Sequence, residues 1–131
     1  MAEVAEFTDI APAAVVADFV HLRVHSEYSL VDGLIKPKAL AKLAAAADMP
    51  AIALTDRGNF FGLIKFYDAA RAAGVKPLVG VELCYRYGEN LYDTTLIACD
   101  NEGYRSLKQL ASELYVGAQE RGVVERDVLF A

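Results

Sequence analysis

The stretch Phe19-Val20-His21-Leu22-Arg23-Val24-His25-Ser26-Glu27-Tyr28-Ser29-Leu30-Val31-Asp32-Gly33 decides how the chain is read. Its first six residues alternate. Phe19, His21 and Arg23 share one face and Val20, Leu22 and Val24 the other, which is the period of a strand. The strand runs into a polar loop, His25–Ser29, and then into Asp32-Gly33. Pro37 suits the first turn of a helix, and Leu40, Leu43, Ala44 and Ala47 give that helix one apolar face to about Ala47. Pro50 closes the connection, and Ala51-Ile52-Ala53-Leu54 is a short buried strand that stops at Thr55-Asp56-Arg57-Gly58-Asn59.

The same alternation continues outward from this unit. Phe60, Leu63, Ile64, Tyr67 and Ala70 recur at helical spacing, and Gly74 is a C-terminal stop. Lys76–Tyr85 is a third strand, with Pro77 at its start where a missing donor is tolerated. Tyr87-Gly88-Glu89-Asn90 is a turn, and Leu91–Cys99 is a fourth strand. A third helix carries Tyr104, Leu107, Leu110, Ala111 and Leu114, and Val123–Phe130 begins a further element. The spacing predicts an α/β fold of about four strands alternating with three helices, its sheet covered by helices and its crossovers right-handed. A doubly wound sheet and a barrel of the triosephosphate-isomerase type both begin this way. Residues 1–17, Ala-rich and interrupted by Pro12, read as a flexible N-terminal arm ahead of a domain over residues 18–131.

Composition removes several classes. With 131 residues, 55% hydrophobic and 24% charged, the chain suits one globular domain and excludes wholesale disorder. Its longest strongly apolar run, Met49–Leu54, is far too short to span a bilayer. Met1–Asp9 carries acids and no base, unlike a signal peptide. Two cysteines, Cys84 and Cys99, without C-x-x-C spacing suit a reducing, cytoplasmic setting. The net charge of −5, from 13 basic and 18 acidic residues, argues against a domain whose main task is gripping phosphate backbones.

The polar residues with chemistry gather where the strands end. His25 follows the first strand and Asp32 lies in the loop after it. Asp56 and Arg57 follow the second strand, and Glu82 sits near the end of the third. In a barrel those ends converge on one face. An imidazole with carboxylates is a ligand set for zinc, manganese or iron. The same residues also fit polar strand-end loops, with Asp32-Gly33 a simple turn. Gly58-Asn59-Phe60-Phe61-Gly62 lacks the lysine of a phosphate loop and the third glycine of a dinucleotide fingerprint. Ser26 and Ser29 lie near His25 without a nucleophile elbow. Lys65, Arg71 and Arg105 read as solvated helix faces, and His21 as structural.

The opening run resembles the start of the PHP (polymerase and histidinol phosphatase) domains of bacterial DNA polymerase III alpha subunits. Met49–Asp56, Gly62–Tyr67, Gly74–Glu82 and Asn101–Leu107 match further blocks in the same order, so the resemblance covers about residues 18–128. It implies a partial (β/α) barrel of the PHP type, truncated before closure, since the family's barrel has seven strands. Active members hold up to three metal ions at the mouth. Carried over by position, the family's ligand residues fall on Arg23, His25, Asp32, Arg57, Glu82 and Asp93. His25, Asp32 and Glu82 are retained types, while Arg23 and Arg57 replace histidines and Asp93 replaces another. Two permanent cations in such a pocket imply a degenerate site held by ion pairs. The resemblance implies a parent DNA-directed DNA polymerase using magnesium, with DNA held by the rest of that chain. This stretch, inactive by itself, is expected to dock the proofreading exonuclease subunit among other replicase subunits, with no membrane partner. The alternative is an active zinc- or manganese-dependent phosphoesterase or proofreading nuclease of the same family.

Overall fold

In a computed structural model of the chain, residues 19–117 and 120–131 are described. The arm predicted over residues 1–17 lies outside them. The centre of the molecule is one long strand, β2 (Lys76–Tyr87), which every other strand touches. β1 (Ala51–Leu54) pairs with its first half in parallel, Ala51 opposite Lys76 and Leu54 opposite Val79. β3 (Asn90–Ile97) pairs antiparallel along the other edge, from Gly80 opposite Ile97 to Tyr87 opposite Asn90. That hairpin closes through two residues, with Gly88 at φ 62 in its first central position, a backbone that glycine adopts without strain. β4 (Val123–Glu125) pairs in parallel with Cys84–Arg86, on the edge that β1 has left.

Helices cover one face of this sheet. α1 (Pro37–Ala46) starts on its proline, as predicted, and α2 (Leu63–Ala72) packs beside it. α3 (Asn101–Glu113) is capped by Asp100, whose side chain accepts from the Gly103 N–H at 2.8 Å. α4 (Arg126–Leu129) is a single turn after β4. Leu40, Ala44, Phe66 and Ala70 from α1 and α2 pack on Ile52, Leu54 and Val79. A second cluster joins Leu107 and Leu114 to Val81, Leu83 and Val124. Because a strand alternates, burying Val79, Val81 and Leu83 under helices turns Gly80, Glu82 and Cys84 to the opposite face. In a closed barrel that face is the interior. No helix among the described residues is long and apolar enough to cross a membrane.

Two details differ from the sequence reading. The segment Phe19–Val24 lies extended beside β1 without forming a regular ladder. The Ala53 N–H donates to the His21 carbonyl and the Thr55 N–H to the Val24 carbonyl, both at 2.9 Å, so three residues on one side span two on the other. The Thr55 hydroxyl fills the mismatch, accepting from the Val24 N–H at 2.9 Å. Secondly, α1 buries Leu40, Ala41 and Ala44 and leaves Leu43 outward; α2 buries Leu63, Phe66 and Ala70 and leaves Ile64 outward. The further element expected over Val123–Phe130 is present, as a short strand followed by a helical turn.

Candidate functional site

The loop after Val24 is pinned from below. Asp56, the residue after Thr55, is buried and aims its carboxylate into this loop rather than at the sheet's open face. It accepts from the Ser26 N–H at 2.6 Å, the Ser26 hydroxyl at 2.7 Å and the Ser29 hydroxyl at 2.8 Å. Three donors on one buried carboxylate offset its desolvation. Ser29 in turn accepts from the Arg57 N–H at 3.0 Å, which ties the second loop to the first. Ser26 bridges to Ile35 in parallel, so the residues between them loop round until the chain resumes its direction. Gly33, on the returning arm, is packed so closely that a Cβ there would lie 2.0 Å from the Ser26 carbonyl oxygen. Leu30, at φ 60 and ψ −60, centres a γ-turn closed by the Val31 N–H on the Ser29 carbonyl at 2.7 Å.

This scaffold delivers Arg23, His25, Asp32 and Arg57 around one acid. Glu82 is 1% exposed, in the middle of β2. The Arg23 Nε donates to its Oε2 at 2.5 Å and the Arg23 NH2 to its Oε1 at 3.1 Å, the two-pronged arrangement of a guanidinium on a carboxylate. The Arg57 NH2 donates to Oε1 at 2.8 Å, and the His25 Nε2 lies 3.1 Å from Oε2. An ionised carboxylate only accepts, so His25 presents Nε2–H to it. Arg57 also reaches Asp32 through Nε at 3.0 Å and Asp93 through NH2 at 3.3 Å. Two guanidiniums therefore face three carboxylates.

The structure thus brings together all six residues singled out on the opening resemblance: Arg23, His25, Asp32, Arg57, Glu82 and Asp93. Asp56, grouped with them by sequence, is not among them. Thr95 is, with its hydroxyl 3.5 Å from the Glu82 Oε2. Sequence reading passed over Thr95, and its signal lay in the hairpin register that sets it opposite Glu82. His21 stands apart, edge-on to Phe19 with ring centres 4.6 Å apart.

The Arg23 hydrogen bond, and after it the His25 one, hold the Glu82 carboxyl down to about 2 from its ordinary 4.5, against the opposing effect of burial. The unfolded chain therefore takes up this proton first as pH falls. Stability from Glu82 is fully present above about pH 4.5 and is lost as pH falls through about 2, a term of about 3 kcal/mol. Urea midpoints measured from pH 6 down to pH 3 should fall more steeply for the wild type than for Glu82→Gln. Parallel slopes would refute this assignment.

The donor set does not fit a metal as it stands. Both Glu82 oxygens already serve guanidiniums, and Arg57 occupies Asp32 and Asp93 as well. Among the described residues no group of three or more His, Cys, Asp and Glu side chains is arranged to hold an ion.

Known proteins place this chain in a family. The DNA polymerase III subunit alpha of Escherichia coli (strain K12) is 46% identical over 120 residues, covering 85% of this chain and 10% of that protein. Its Pseudomonas aeruginosa counterpart is 44% identical over 114 residues, covering 83% and 10%. The chain spans about a tenth of the length of these curated relatives. An amidohydrolase from Chromobacterium violaceum, solved with bound sulfate and no metal, shares the fold with a TM-score of 0.55 and 26% identity, over 72% of this chain and 34% of its own. Residues 21–130 match the PHP domain as a family, and the chain belongs to it.

Proposed function

We propose that this chain is the PHP module of a replicative DNA polymerase III alpha subunit, acting in the cytoplasm as a structural and docking element with an ion-pair cluster where active members hold metal. The parent polymerase would use magnesium on DNA elsewhere in its length. The module's own partners would be replicase subunits, the proofreading exonuclease first among them. The observation that carries the reading is the sharing of one buried carboxylate by two arginines, Arg23 and Arg57. A guanidinium cannot give up its charge near neutral pH. It also satisfies the Glu82 oxygens with hydrogen bonds that a divalent ion would have to displace.

The test is a comparison of metal binding by calorimetry. The wild-type chain should bind zinc or manganese weakly, and Arg23→His/Arg57→His should bind at least roughly tenfold more tightly, a gain of about 1.4 kcal/mol or more. Tight stoichiometric binding by the wild type would favour the second reading, a metal-dependent phosphoesterase built on His25, Asp32 and Glu82.

A further inference from the structure

The outer face of the α1–α2 pair carries charge of the opposite sign to the chain as a whole. Lys38 and Lys42, one turn apart on α1, line a shallow depression of about 420 Å³ together with Ile64, Lys65, Asp68 and Ala69 of α2. Lys36 stands just before α1. From Gly33 to Ala47 the sequence has three lysines and no acid, within a chain of net charge −5. Among the described residues Lys36, Lys38 and Lys42 enter no ion pair. Lys65 is held upright by donating to the Tyr28 hydroxyl at 2.6 Å, with its ammonium 5.3 Å from the ring centre. That hydrogen bond raises the Lys65 pKa, so the site keeps its charge. The opposing acids are Asp68 in the depression and Glu27 nearby. Ile64, 68% exposed, supplies an apolar floor among the cations.

We infer that the α1–α2 face is a docking surface for an acidic, amphipathic segment of a partner protein, its carboxylates over Lys38, Lys42 and Lys65 and an apolar side chain on Ile64. Charge complementarity selects the occupant: among the described residues Lys38 and Lys42 enter no ion pair, Lys65 meets only a neutral phenol, and the exposed isoleucine in the same depression gives an apolar anchor that a phosphate backbone does not use. The inference rests on the docking role proposed above and locates it.

The full chain is titrated with fluorescently labelled exonuclease subunit from the same organism. Lys38→Glu/Lys42→Glu should weaken binding roughly tenfold or more, and rising salt should weaken the wild-type complex. Ile64→Asp, a separate variant at an exposed helix position, should weaken it independently. Wild-type binding left unchanged by both variants overturns this surface while the docking role stands. A wild-type chain that does not bind the subunit overturns both. A single-stranded oligonucleotide bound with the same lysine dependence replaces the protein segment with nucleic acid and overturns the occupant.

Discussion

Replacing Glu82 with alanine should destabilise the fold by about 3 kcal/mol, the largest loss expected from any single site residue. Removing one member of a buried ion pair commonly costs about 3–5 kcal/mol, because the remaining charges stay behind without compensation. The lower end applies here, since Arg23 and Arg57 are 62% and 41% exposed and can turn to water. His25 cannot turn out as readily, for its side chain is only 12% exposed. The order of effects is diagnostic. Arg23→Ala removes an exposed cation and should cost less than Glu82→Ala, because Arg57 and His25 remain on the carboxylate. Arg57→Ala should cost more, because it leaves Glu82, Asp32 and Asp93 near one another without their shared counter-charge. Denaturant titrations followed by circular dichroism would give this ranking. A Glu82→Ala variant within 1 kcal/mol of the wild type would show that the cluster contributes little to folding.

Gly33→Ala should be comparably damaging, at about 3 kcal/mol, by a different mechanism. A methyl group 2.0 Å from the Ser26 carbonyl oxygen meets backbone, which cannot rotate aside as a side chain would. The loop must then open at the point where Ser26 bridges to Ile35 and offers its N–H and hydroxyl to Asp56. Gly74→Ala is the useful control. Gly74 has φ 74 and nothing within 4 Å of its missing Cβ, so that variant carries backbone strain without a collision. If the two variants unfold at the same denaturant concentration, close packing at Gly33 is not what makes glycine necessary there.

Much of this architecture is legible in the sequence because it depends on local periodicity. The alternation Val79, Val81, Leu83 against Glu82 states which way the acid points once helices cover one face. Pro37 marks its helix start, and Gly88-Glu89 its hairpin. What escapes the sequence depends on residues distant along the chain. α1 is so rich in alanine that its apolar stripe is broad, and contact with α2 decides that Ala41 is buried and Leu43 is not. Asp56 looks like a site carboxylate until Ser26 and Ser29, some thirty residues earlier, claim both of its oxygens. Phe19–Val24 has a strand's alternation, yet the Thr55 hydroxyl inserts into its pairing with β1. The six clustered residues were gathered by family position, which already encodes three-dimensional proximity that spacing alone does not.

The sharing of Glu82 by two arginines also bears on heredity. A single codon change at position 57 removes the counter-charge of three acids and installs one imidazole, leaving a weakened fold that still lacks a full ligand set. A change at position 23 alone leaves the guanidinium of Arg57 on the Glu82 Oε1. Neither substitution alone frees both oxygens of Glu82. The two positions are therefore coupled, and arginines that share one acid can give way to a bound ion only when both are exchanged.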